Sequence, residues 1–167
     1  MLKRLFNKCV WKPCKLLKSW LIENSRVIEI LIESDLLLAV IKKEDRLKST
    51  AEKILEKIDA GELKGVYAST AVIQEVIFWF YNRQLLSELA LAVNILTHLR
   101  NVEWIAVTPD ICLTASLLIN EYNTSPFDAY HAATAIFRDK SILSTEHVYD
   151  KIKGITRISP IEFAKNI

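Results

Sequence analysis

The sequence predicts an α/β fold, a three-layer α/β/α sandwich around a central, mostly parallel sheet of roughly four to five strands. Two observations carry this. Short apolar β runs alternate with helical patterns, single or paired, from residue 27 onward, which is the signature of crossover connections covering both faces of a sheet. A chain of 167 residues that is 51% hydrophobic, with only 3 Gly and 4 Pro, also has the material for one compact, helix-rich domain with a full core.

The elements follow in order. Val27 to Ile32 reads as a strand, followed by Glu33-Ser34-Asp35 and a Leu-rich turn into helix. Lys48 to Ala60 has helical spacing at Ala51, Ile54, Leu55 and Ile58, with Gly61 and Gly65 punctuating its end. Val66 to Ala68 is a short strand, after which Ser69 or Thr70 caps a helix carrying Glu75 and the apolar group Val76, Ile77, Phe78 and Phe80. A second long helix covers Leu85 to Leu99. Trp104 to Val107 is the next strand, Pro109 opens a helix to about Tyr122, and Pro126 opens another. Strands at Ser141 to Ser144 and Thr156 to Ile158 and a helical turn at Pro160 to Ala164 complete the chain. Residues 27–167 therefore read as one domain.

Residues 1–26 have a different character. Seven basic residues against Glu23 give this segment a net charge of +6, leaving −4 for residues 27–167 out of a total of +2. Its basic residues alternate with Leu2, Leu5, Phe6, Trp11, Leu16, Leu17, Trp20 and Leu21, and Pro13 interrupts any helix. It is expected to be a basic amphipathic extension, and it lacks the pattern of a secretory signal. The longest apolar runs, such as Leu36 to Ile41, are far too short for a transmembrane helix. Cys9, Cys14 and Cys112 form neither a disulfide framework nor a zinc site, which fits a reducing, cytoplasmic setting.

Omissions narrow the chemistry. With Gly only at 61, 65 and 154 there is no phosphate-cradling loop or dinucleotide fingerprint, and no serine sits in a nucleophile elbow. His98, His131 and His147 form no helical pair that would hold zinc. Acids are better placed. Ser125 and Pro126 put Asp128 in the first turn of a helix whose Ala129, Ala132, Ala133 and Ala135 allow close packing. Glu33 and Glu146 emerge beyond the carboxyl ends of strands, where open α/β sheets bind ligands, and Glu75 lies on an otherwise apolar helix. Two carboxylates about 4 Å apart repel by roughly 4 kcal/mol at an effective dielectric of about 20, so four acids sharing a pocket must protonate, spread apart or bind cations. A hard divalent ion such as Mg²⁺ or Mn²⁺ takes oxygen ligands and suits phosphodiester hydrolysis.

The ordered set of Glu33-Ser34-Asp35-Leu36-Leu37-Leu38, Glu75, Asp128 through Ala135, and Ser144-Thr145-Glu146 leading through Tyr149-Asp150 to Gly154 and Pro160 resembles a PIN domain over about residues 27–163. The likeness is greatest to the small prokaryotic PIN proteins that include VapC-type toxin ribonucleases. It implies a Mg²⁺- or Mn²⁺-dependent endoribonuclease acting on RNA, paired with an antitoxin protein. Separately, the apolar stretch Val76 to Tyr81 fits a homodimer surface and core burial equally well. By position, Glu33, Glu75, Asp128 and Glu146 take the four acid places as catalytic and metal-binding residues. Asp35 is implied as a water-mediated ligand, and Ser34 and Thr145 as supporting residues. The first and fourth acids of the family are usually Asp, so Glu33 and Glu146 each add a methylene that moves an oxygen by about an ångström. A degenerate PIN-like module binding RNA or a protein partner is the alternative.

Among the remaining residues, Asp150 competes with Glu146 for the fourth place, and Asp35 is equally suited to capping its helix. His131 reads as a packed helix residue and His147 as solvated. Lys42, Arg83, Arg138 and Lys140 fit either phosphate contacts or solvated charges, and none is assigned a role.

Overall fold

The computed structural model describes residues 26–167. Five parallel strands form one sheet: β1 (Arg26–Ile32), β2 (Leu63–Ser69), β3 (Val102–Ile105), β4 (Ser141–Leu143) and β5 (Thr156–Ile158). Helices α1 (Ser34–Ile41) and α2 (Lys48–Asp59) link β1 to β2, and α3 (Ala71–Asn82) and α4 (Leu86–Thr97) link β2 to β3. Helices α5 (Pro109–Tyr122) and α6 (Pro126–Ile136) lead into β4. A short 3₁₀ helix, His147–Lys151, joins β4 to β5, and α7 (Pro160–Lys165) follows. None of the helices among the described residues is long and apolar enough to cross a membrane.

The strand order is β3-β2-β1-β4-β5. The chain builds outward from β1 through β2 to β3, then returns to the other side of β1 for β4 and β5. Right-handed crossovers running in opposite directions must lie on opposite faces. The core accordingly divides in two. Ile30, Ile32 and Val66 point into a layer shared with Leu36, Ile54, Val72 and Leu96, whereas Leu31, Tyr67 and Ile142 point into one shared with Ile111, Ala115, Ala129 and Ala133. The alternation of Ile30, Leu31 and Ile32 between layers is the period-two pattern of a strand buried on both faces.

Two expected boundaries shift. Gly65 does not end the preceding helix but lies inside β2, where Ile28 and Glu29 of β1 bulge past it between the pairs Val27–Lys64 and Ile30–Val66. Its φ is +79°, and an added Cβ would stand 1.8 Å from the Ile28 carbonyl oxygen, so only glycine fits. β3 starts and ends two residues earlier than expected because its ladder with β2 runs from the pair Val66–Val102 to the pair Ser69–Ile105, after which β2 turns into helix. Val107 is held instead by its N–H donating to Thr70 Oγ1 at 3.1 Å. Thr70 is therefore engaged elsewhere and makes no side-chain cap on α3, while Ser69 Oγ accepts from the Ala71 N–H at 3.3 Å. The expected extension over residues 1–26 lies, but for Arg26, outside the described residues.

Candidate active site

The direction of chain progression reverses between β1 and β4, and the carboxyl ends of these neighbours open a crevice of the kind that binds ligands in α/β sheets. Glu33 follows β1 directly, and Ser144, Thr145 and Glu146 follow β4. A cleft of about 270 Å³ lies here, lined by Glu33, Ser34, Asp35, Leu38, Lys42, Glu75, Trp79, Asp128 and Glu146. All four principal acids expected from the sequence, together with Asp35, line this one cleft. The N-termini of α1 and α6, next to Asp35 and Asp128, contribute positive helix ends that offset part of the acid repulsion.

Glu33 is the deepest, only 2% exposed. One carboxylate oxygen accepts from Ser144 Oγ and the other from the Tyr149 hydroxyl. Burial first, and the charge of Asp35 second, push its pKa well above the usual carboxylate range, overcoming the opposing effect of those two hydrogen bonds. The methylene that distinguishes Glu from Asp carries the carboxylate onto these two hydroxyls. Tyr149, itself fully buried, has the same hydroxyl 3.4 Å from Asp128 Oδ1 and so stands between two of the acids. Burial and the neighbouring charges of Glu33 and Asp128 raise the pKa of Tyr149, which keeps the hydroxyl protonated as a donor.

Asp128 is aimed by its helix cap. Ser125 Oγ accepts from the Asp128 N–H at 3.2 Å and donates to Asp128 Oδ2 at 2.7 Å. Asn123, at a left-handed φ of 53°, ends α5 and turns the chain into that cap. Glu75 Oε2 lies 3.2 Å from Nε2 of the fully buried His131. Burial opposes ionisation of Glu75, but hydrogen bonds from His131 and Ser34 prevail and hold its pKa below the usual range. Asp35 Oδ2 accepts from Thr145 N–H at 2.8 Å and Thr145 Oγ1 at 2.7 Å, while its buried Oδ1 has no hydrogen-bond partner. Burial raises the Asp35 pKa against the pull of those Thr145 bonds.

Glu146 is the exposed member, positioned by its N–H donating to Ser144 Oγ at 2.8 Å. Asp150 is not at the cleft: Arg157 holds one oxygen from Nε at 2.8 Å, His147 Nδ1 lies 2.8 Å from the other, and these contacts hold the Asp150 pKa low. Of the two acids, only Glu146 lines the cleft. Arg138 pairs with Glu103 and does not line the cleft.

The donor set is all oxygen, which fits a hard divalent cation, and the orphaned Asp35 Oδ1 is a buried acceptor that a cation or its water would satisfy. Glu33, Glu75, Asp128 and Asp35 are the residues able to hold such an ion, with Glu146 at the rim. In the present side-chain arrangement, no group of three or more His, Cys, Asp or Glu among the described residues converges closely enough to enclose one. A bound ion would have to draw these side chains together.

Sequence reasoning passed over Ser144, Tyr149 and His131 as working parts, and Lys42 and Trp79 as cleft walls. One had a legible signal: Ser144 ends an expected strand at the carboxyl edge.

The model of the PIN domain matches residues 30–154. No curated protein matches the chain. Among solved structures the chain is similar to VapBC2 from Rickettsia felis bound to a DNA fragment from its promoter, with a TM-score of 0.61 and 12% identity over 78% of this chain and 98% of that one. It is similar to VapC20 of Mycobacterium tuberculosis, a sarcin-ricin loop cleaving toxin, with a TM-score of 0.60 and 18% identity over 73% of this chain and 93% of the other. It is also similar to a toxin-antitoxin complex from Klebsiella pneumoniae, with a TM-score of 0.54 and 17% identity over 79% and 98%. With a match over three quarters of its length and five parallel strands in the corresponding fold, the chain belongs to the PIN domain family.

Proposed function

We propose that this chain is a divalent-metal-dependent endoribonuclease that hydrolyses RNA phosphodiester bonds, acting as the toxin of a toxin-antitoxin pair. The observation that carries this is the meeting of Glu33, Asp35, Glu75, Asp128 and Glu146, from four separate segments, in one cleft at the switch point of a PIN domain. Mg²⁺ or Mn²⁺ is the cofactor, held by Glu33, Glu75, Asp128 and Glu146 with Asp35 through water. When bound, it supplies an activated water and neutralises charge on the phosphodiester. Ser144 and Tyr149 fix the Glu33 carboxylate, Ser125 aims Asp128, and the His131 contact keeps Glu75 ionised. Thr145 steers one oxygen of Asp35 and leaves the other available, and Ser34 supports Glu75.

An antitoxin partner is supported by the likeness to toxin-antitoxin complexes. A homodimer is supported by the exposed Phe78 and Tyr81 of α3 and Leu86 and Leu91 of α4. The proposed setting is the cytoplasm, and residues 1–26 form an extension apart from the PIN domain at 27–167. A second reading, a degenerate module that binds RNA or protein without cutting, is favoured by the burial of Glu33 and by the absence of a closed three-acid group among the described residues. Cleavage of mixed structured and single-stranded RNAs in Mn²⁺, Mg²⁺ or chelator, beside Asp128→Asn, separates the two. Metal-dependent cutting lost in the variant supports the nuclease. RNA binding without cutting in any metal supports the degenerate module.

A further inference from the structure

The cleft continues past its acids. Helices α1 and α3 both start at the carboxyl edge of the sheet and pack against each other. Asp35, Leu38 and Lys42 line the cleft along α1, and Glu75 and Trp79 along α3. These spacings of three and four residues place successive side chains on one helix face, each about one 5.4 Å turn farther from the sheet edge. Arg83, at the end of α3, adds a further turn, and its guanidinium carbon lies 4.1 Å from the centre of the Trp79 ring. Lys42 Nζ lies 5.9 Å from the centre of the same ring. The chemistry therefore changes along the track from carboxylates, through Leu38 and Trp79, to two cations gathered on one indole.

These cations are not spent on the acids. Lys42 pairs with Asp45 at 3.2 Å, and the exposed Arg83 forms no ion pair or side-chain hydrogen bond among the described residues, its contact being the ring. An indole under a guanidinium orients the planar fork while leaving its N–H donors free for a bidentate acceptor such as phosphate. Residues 27–167 carry a net −4, and five carboxylates line the cleft, so a polyanion entering it is repelled. Cations set two turns away offset that repulsion without neutralising the acids, since about 10 Å is already a screening length in physiological salt.

We infer that Lys42, Trp79 and Arg83 form a phosphate seat that holds the RNA strand one step from the scissile bond. The seat presupposes the ribonuclease activity proposed above. The test is fluorescence anisotropy of a labelled single-stranded RNA of mixed sequence with the full chain in chelator, across a KCl series. Mn²⁺ calorimetry and steady-state cleavage are run alongside. Arg83→Ala, Lys42→Ala and Trp79→Ala are each expected to weaken RNA binding about fivefold or more, the scale of one lost phosphate contact. The Arg and Lys variants should flatten the slope of log affinity against log salt by about 0.7. All three should raise KM more than they lower kcat and keep Mn²⁺ affinity, and Arg83→Lys should recover the salt slope but not the full affinity. Variants matching wild-type affinity and slope would overturn the seat while leaving the nuclease intact. A wild-type chain that neither binds nor cuts RNA would overturn both.

Discussion

Glu33 shows most clearly what a single residue does here. A buried carboxyl that keeps its proton to higher pH when folded makes the native state bind more protons than the unfolded chain between the ordinary Glu pKa of about 4.3 and its raised folded value. Stability contributed at this position is therefore lost as pH rises through that window. In chelator, Glu33→Gln should melt close to wild type at pH 4 and at least about 3 °C higher at pH 7, roughly 1 kcal/mol for a domain of this size. Thermal melts by circular dichroism across pH decide it, and a variant that melts lower at pH 7 would contradict the cause assigned to the shift. Tyr149→Phe acts on the same carboxylate from the other side. Removing a donor from a buried acceptor costs about 1–3 kcal/mol, so this variant should lose stability in urea despite conserving the ring. Neither contact was legible beforehand, because Tyr149 lies 116 residues from Glu33 and nothing local in the sequence joins them.

Helix α6 shows how an element holds a cleft carboxylate. Ser125 and Pro126 mark its start in the sequence, and the structure keeps that start, with the Ser125 hydroxyl bonded to both the Asp128 N–H and its carboxylate. Ser125→Ala should cost about 1 kcal/mol of stability, a fall of roughly 2–4 °C in Tm, and should weaken Mn²⁺ binding by loosening Asp128. Binding that is unchanged in calorimetry would mean that the cap serves the helix alone. The small residues behind the cap are needed for packing: Ala129, Ala132, Ala133 and Ala135 are all fully buried. Elements with such caps or clear periodicity were readable to within a residue or two. The start of β3 was not, because its limits are set by the ladder with β2 and not by its own side chains.

For the whole molecule, the order of elements carries the function. Alternating strands and helices imply a parallel sheet, but the strand order that puts β1 beside β4, and so Glu33 beside Ser144 and Glu146, depends on which crossover returns over which face. Gly65 guards that arrangement at the β1–β2 bulge. Gly65→Ala should destabilise the domain by about 2 kcal/mol or more, through both the positive φ and the collision with Ile28, and should broaden its urea transition. The acids themselves were legible as types and positions. Their state was not, since the burial of Glu33 and the unpaired oxygen of Asp35 arise only when segments distant in sequence close over them. The central claim is that these carboxylates are a hard-cation site, and the most direct measurement is calorimetric titration of Mn²⁺ into the metal-free full chain and its Asp128→Asn variant. Saturable binding that is weakened at least about tenfold in the variant is the predicted result, and no binding to the wild-type chain would contradict it.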